Sequence, residues 1–271
     1  MNPVKDKLKQ GGVACGLMVL EFFTPGIASM LAASGAEFVL FDMEHGRCDV
    51  SLVAEMIAFC RGIGIVPMVR VPDANVVPLS RVLDLGAQGV MIPRIQNRKQ
   101  MLDVLSKLKY APEGNRGVAL GIAHDQYCSG GPSSLTVAND DILTIALLET
   151  AEAFEDLDGI ISVPGVDVAW MGHYDLTVSM GIPAQFNHPK FLAAMDTLIE
   201  TSERHHVAPG FLPSTPKDAL YWIRKGFRMM SLNSDIGLFM NAFSRFRETV
   251  QKGVKTSLGN ESLRFSATEE T

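Results

Sequence analysis

Continuously apolar runs alternate with amphipathic segments along almost the whole chain. The runs, rich in Val, Ile, Leu and Phe, predict strands at 13–19, 38–42, 66–71, 90–93, 142–148, 166–171, 207–212 and 228–232. The intervening segments repeat apolar residues at helical spacing and predict helices at 26–34, 52–60, 78–86, 98–108, 151–157, 189–205, 216–225 and 236–251. Strands apolar on both faces belong to a parallel sheet covered on its outside. In "ASGAEFVLFD", "LGAQGVMIP" and "RKGFRMMSL" a glycine stands between helix and strand, where a left-handed residue closes the helix. Eight such units in 271 residues favour a (β/α)₈ TIM barrel, typically about 250 residues, over an open doubly wound sheet. No GxGxxG or GxxxxGK[ST] loop follows a strand, which weakens the open sheet further.

Two segments fall outside the repeat. Residues 110–140 are too long for an ordinary connection and are expected to form an active-site loop, a lid or an interface element; "GVALGIA" within them mimics one more strand. Residues 1–255 are expected to form a single barrel domain, and polar residues 256–271 a mobile tail or a contact with a neighbouring subunit.

Charge and cysteine usage narrow the function classes. The formal net charge is −6, and the 24 Lys and Arg are scattered, so no basic face is offered to nucleic acid. No run approaches the roughly 18 apolar residues that span a bilayer, and "MNPVKDKLKQGG" lacks the apolar core of a signal peptide, so no membrane partner is expected. Four cysteines (Cys15, Cys48, Cys60, Cys128) without CxxC spacing imply reduced, mostly buried thiols and a cytoplasmic protein. Cys48 alone lies close enough to polar residues to be considered reactive. His205 and His206 are expected to finish a helix, and Trp170 to pack between strand and helices.

Ionisable residues concentrate where strands end. The second strand runs into "FDMEHG" with Asp42, Glu44 and His45; the third ends in Arg70; Arg94 follows the fourth, Glu149 the fifth, and "GHYDL" with His173 and Asp175 the sixth. In a barrel these ends converge on one mouth. Glu149 and Asp175, on adjacent strand ends, suit a shared divalent cation, because hard cations take carboxylate oxygens and keep exchangeable waters. Both also suit helix N-termini through the helix dipole, and Arg70 suits an ion pair with Asp42 or Glu44. No lysine stands at a strand end, which argues against a Schiff-base aldolase.

Taken in order, "FDMEHG", "PMVRVP", "LDLGAQGVMIPRIQN", "NRGV", "LLET", "PGVDVAWMGHYDL" and "SMGIP" resemble the HpcH/HpaI family of metal-dependent pyruvate aldolases over roughly residues 12–247. The resemblance implies a phosphoenolpyruvate/pyruvate-type barrel with Mg²⁺, Mn²⁺ or Co²⁺ held by Glu149 and Asp175. It implies Arg70 steadying an enolate, His45 as acid/base, and Asp84 as the partner of that histidine. Asp84 sits late in a helix that runs away from the mouth, so it would reach His45 across a subunit boundary. Substrate contacts are implied for Arg70, Leu147, Gly172, Tyr174 and Asp175, with Asp42, Glu44 and His173 in support. A homo-oligomer is implied as well, commonly a hexamer built as a trimer of dimers, in which the last helix ("FMNAFSRF") exchanges between partners. The implied reaction cleaves a 4-hydroxy-2-oxoacid into pyruvate and an aldehyde, or runs in reverse. The chemistry is coherent in its own right: a cation stabilises the developing enolate, a fixed guanidinium adds to that, and histidine suits removal of the hydroxyl proton.

Departures from the family pattern fall on the pocket. "LLET" stands for "QIET", so Leu147 replaces a glutamine; "GHYDLT" stands for "GPADLS", so His173 and Tyr174 occupy positions that are small in relatives; and "AHDQYC" replaces a "RASRWG"-like segment. The alternatives are oxaloacetate decarboxylation, macrophomate-synthase-like carbon–carbon bond formation, and a non-catalytic ligand-binding barrel.

Overall fold

The computed structural model describes residues 2–128, 130–131 and 133–258. Eight strands, β1 (Ala14–Val19), β2 (Phe38–Asp42), β3 (Val66–Arg70), β4 (Gly89–Ile92), β5 (Leu143–Leu148), β6 (Val168–Met171), β7 (Ala208–Phe211) and β8 (Met229–Ser234), close into a barrel in chain order. All neighbouring pairs are parallel, and β8 returns to β1. Each strand lies within two residues of its predicted run. The helices are α1 (Pro3–Lys9), α2 (Pro25–Ala33), α3 (Val50–Cys60), α4 (Val76–Asp84), α5 (Arg98–Leu108), α6 (Ser133–Asp141), α7 (Ala151–Glu155), α8 (Leu157–Ile161), α9 (His173–Ser179), α10 (Pro189–His205), α11 (Pro216–Lys225) and α12 (Asp235–Leu258). The segment predicted as one helix at 151–157 is divided into α7 and α8, and α12 continues past the expected start of the tail. The rest of that tail lies outside the described residues.

Local chemistry fixes where the helices start and stop. Asp49, Asn97, Thr150 and Thr215 each accept a backbone N–H from the first turn of α3, α5, α7 and α11, so these helices begin close behind the strand ends. Gly86 and Gly226 close α4 and α11 with φ of 101° and 134°, the left-handed region that the sequence pattern demands.

Two apolar layers hold the barrel. Val39, Phe41, Val69, Val90, Ala146 and Ala169 face outward into the helices, while Phe38, Leu40, Met68, Ile145, Leu147 and Trp170 fill the interior. Trp170 is therefore an interior residue, which corrects the expectation that it packs between strand and helices. Gly210 on β7 makes room for it, since a Cβ there would lie 2.3 Å from the indole ring.

The N-terminal end of the barrel is plugged by α1, which the periodicity did not reveal. Val4 and Leu8 join the interior cluster. Asn2 accepts the N–H groups of Val4 and Lys5 and donates to the carbonyls of Gln88 and Asp141. Lys5 Nζ reaches the Ile142 carbonyl at 2.7 Å and Asp167 at 2.9 Å. Residues 110–140 leave α5 and return to β5, so both their ends lie at this same end, opposite the mouth. Their described residues contain most of α6 and no strand, and with both ends at the foot of the barrel they are neither a lid nor an active-site loop of their own barrel.

Candidate active site

Side chains alternate along a strand, so the interior positions Met18, Leu40, Met68, Leu147, Trp170 and Ala208 determine which residues face inward at the mouth. Two residues on, or four in β7, that layer contains Leu20, Asp42, Arg70, Glu149, Gly172 and Leu212. Asp42 and Arg70 are direct partners in the β2–β3 register. Their side chains form a fork, with Arg70 Nε 2.7 Å from Asp42 Oδ1 and Nη2 2.7 Å from Oδ2, both residues buried. Asp42 also accepts the N–H groups of Glu44 and His45, which fixes the turn that carries them. Burial alone would weaken the charge on Arg70, but the hydrogen bonds and charge of Asp42, with Glu44 and Glu149, more than offset it and reinforce the guanidinium.

Glu44 and Glu149 lie beside that guanidinium, and Asp175 lies near enough to Glu149 to act on its charge. Glu44 Oε2 is 3.3 Å from Arg70 Nη1 and 3.7 Å from His45 Nε2, yet it is buried without a hydrogen-bond partner. Glu149 accepts the backbone N–H of Arg94 at 2.7 Å. Arg94 adopts φ of 56° there, a strained backbone whose gain is this one donor aimed at the carboxylate. Burial first, and then the charges of Glu44 and Asp175, push Glu149 up to about 7, against the opposing pull of Arg94 N–H and Arg70. Asp175 lies exposed in the first turn of α9. Gly172, just before it, has no room for a side chain: a Cβ would lie 2.5 Å from Glu149 Cβ and 3.2 Å from Leu147 Cδ1.

The residues that depart from the family pattern form an aromatic nest on the other side of Asp175. The His173 ring lies 4.6 Å from Tyr174, 5.2 Å from Phe186 and 5.1 Å from Phe211. Burial in this nest pushes His173 down to about 4, despite a hydrogen bond to the Met171 backbone and the charge of Asp175, so the ring is neutral near pH 7. Tyr174 is exposed and meets Phe186 edge-on at 5.1 Å.

Not every expected residue reaches the mouth. Asp84 ends α4 at the opposite end of the barrel and pairs with Arg116 at 2.5 Å, so within one chain it does not meet His45. Cys48 is buried, its thiol pushed up to about 12 by burial and then by Asp49 and Asp42, which removes it as a reactive group. Asp235, the first residue of α12, is not marked by any sequence motif. It accepts the N–H groups of Leu20, Glu21 and Phe22, tying the loop after β1 to the end of β8.

The profile of the HpcH/HpaI aldolase/citrate lyase family matches residues 17–242. The chain belongs to that family. It is 30% identical to a hydroxypyruvate/pyruvate aldolase of Cupriavidus necator over 89% of each chain. It is 28% identical to a 2-keto-3-deoxy-L-rhamnonate aldolase of Escherichia coli K12, covering 90% of this chain and 91% of that one. Among solved structures it resembles an HpcH/HpaI aldolase from Desulfitobacterium hafniense, with a TM-score of 0.86 and 27% identity over 92% of this chain and 96% of that one. Among the described residues no group of three or more His, Cys, Asp or Glu side chains is placed to hold a metal ion. The fit to a cation rests on the hard carboxylate donors at the strand ends, among them Glu44 Oε2, which is buried and paired in charge with Arg70 at 3.3 Å but accepts no hydrogen bond.

Proposed function

We propose that the protein is a divalent-metal-dependent aldolase that interconverts a 4-hydroxy-2-oxoacid with pyruvate and an aldehyde. It is a carbon–carbon lyase. The observation that supports the metal is geometric: the buried Glu149 carboxylate is fixed at the mouth by the Arg94 N–H at 2.7 Å, and Asp175 follows the neighbouring strand, so two hard oxygen donors stand on adjacent strand ends. Mg²⁺, Mn²⁺ or Co²⁺ held by Glu149 and Asp175 would supply Lewis-acid stabilisation of the charge that develops when the carbon–carbon bond breaks.

The chain's own residues do the rest. Arg70, immobilised by the fork to Asp42, presents a fixed positive charge to the ketoacid without reorganising during reaction. Arg94 N–H holds Glu149 in place. Gly172 lets the start of α9 pack directly against the Glu149 side chain, which brings Asp175 to the same side of the mouth. His45, with a half-exposed side chain, takes the proton of the substrate's 4-hydroxyl in cleavage and exchanges it with solvent. Asp84 would support His45 only from another protomer.

A homo-oligomer, a hexamer arranged as a trimer of dimers with α12 exchanged, completes the reading. Its support is the apolar face of α12, where Phe239, Met240, Phe243 and Phe246 stay exposed, Phe246 at 73%. The free cysteines support a reducing, cytoplasmic location. The test is removal of metal by chelator and re-addition of Mg²⁺, Mn²⁺ or Co²⁺ while pyruvate release from several 4-hydroxy-2-oxoacids is followed. Activity should vanish and return; pyruvate release that persists in the chelated enzyme overturns the proposal. Light scattering should give about six times the mass of one chain.

A further inference from the structure

The mouth is divided by charge. Asp42, Glu44, His45, Arg70, Glu149 and Asp175 all come from the ends of β2, β3, β5 and β6. The opposite side, from β6 through β7 and β8 to β1, presents rings and aliphatic groups at its inward positions, with exposed Glu21 and Ser214 at its outer edge. Tyr174 stands exposed there, braced by His173 and by Phe186, and His173 is braced in turn by Phe211. Leu212 and Leu20 follow β7 and β1 at inward-facing positions and pack half-buried on the top of the interior cluster.

The polar side chains that end β8 are engaged by backbone. Ser231 Oγ accepts the Met18 N–H at 2.7 Å and donates to the Asn233 carbonyl at 2.9 Å. The Asn233 amide donates to the Ser214 carbonyl and accepts the Ser234 N–H. Asp235 is taken by three N–H groups of the β1 loop. Over Leu212 and Leu20 a polyhydroxylated chain would lose more hydrogen bonds to water than it could replace, whereas an apolar one would gain edge-to-face contact with Tyr174 and aliphatic contact with the leucines.

We infer that this half of the mouth is an apolar subsite, walled by Tyr174, that selects 4-hydroxy-2-oxoacids bearing an aromatic or long alkyl group on the aldehyde-derived carbon. The inference rests on the aldolase reading and names its substrate class. The oxoacid head lies with Arg70 and the carboxylates, and the apolar arm points toward Tyr174, Leu212 and Leu20.

Two measurements test it in the metal-loaded enzyme. The first compares kcat/KM for 4-hydroxy-2-oxo-4-phenylbutanoate, 4-hydroxy-2-oxopentanoate and a 2-keto-3-deoxy sugar acid. The second compares calorimetric binding of 2-oxo-4-phenylbutanoate with that of 2-oxobutanoate and needs no turnover. The aryl compound should be favoured by about tenfold in both, the scale of one well-packed aromatic contact with its buried area. Tyr174→Ala should cut that preference about tenfold, through KM rather than kcat, and Tyr174→Phe should keep it. Preference for the sugar acid, equal binding of the two oxoacids, or a Tyr174→Ala effect equal on all substrates overturns the subsite. If Tyr174→Ala does not fold, the comparison of ligands on the unaltered protein still decides. Aryl-selective binding with no turnover of any oxoacid would instead overturn the aldolase reading and leave the subsite standing.

Discussion

Replacing His173 with Phe should change how stability responds to pH, and the sign follows from the aromatic nest. Free histidine titrates at 6.5, whereas burial against Tyr174, Phe186 and Phe211 pushes His173 down to about 4. Above 6.5 the ring is neutral in the folded and unfolded chain alike and contributes no pH dependence. Between 6.5 and about 4 the unfolded chain binds a proton that the fold refuses, so stability falls as pH falls, by up to about 1.4 kcal/mol per pH unit. At pH 5 the upper limit of this loss is about 2 kcal/mol. Phe fills a similar volume and carries no proton, but it forfeits the hydrogen bond to the Met171 backbone, worth about 1 kcal/mol. His173→Phe should therefore be about 1 kcal/mol less stable than the parent at pH 7.5 and about 1 kcal/mol more stable at pH 5. Urea unfolding of both proteins at matched concentration, followed by tryptophan fluorescence, measures the crossing. Other titrating groups cancel in the difference. A stability difference that stays constant from pH 7.5 to 5 would refute the reasoning.

Two further outcomes follow from the same site. Asp42→Ala leaves the Arg70 guanidinium buried without its fork and should cost about 3–5 kcal/mol in urea unfolding, with Asp42→Asn intermediate; a loss below about 1 kcal/mol would contradict the pairing. Native protein treated with a thiol reagent at pH 8 should react quickly at exposed Cys128 and not at Cys48 or Cys60, whose thiols burial pushes up to about 12; rapid native-state labelling of Cys48 would contradict its burial.

The barrel was legible because its strands are apolar on both faces, and that same property hid which face points inward. Trp170 sits in β6, whose four residues are all apolar, so only the closed sheet shows that it lies inside. Helix α1 was missed because seven residues give just Val4 and Leu8 as a period, although Asn2 and Pro3 are good starting signals. In the site, the strand-end carboxylates and Arg70 could be read from their positions. The Arg94 N–H that holds Glu149 could not, because a backbone donor leaves no mark on the residue type. Nor could the aromatic nest, since Phe186 and Phe211 join His173 only through the fold.

The central claim is that Glu149 and Asp175 hold one divalent cation per chain. Electron paramagnetic resonance of Mn²⁺ titrated into chelator-treated protein tests it directly. The account predicts one tight Mn²⁺ per protomer in the parent, at least about 100-fold weaker binding in Glu149→Gln and in Asp175→Asn, and pyruvate release that tracks occupancy. Unchanged Mn²⁺ binding in both variants, or pyruvate release at zero occupancy, would contradict it.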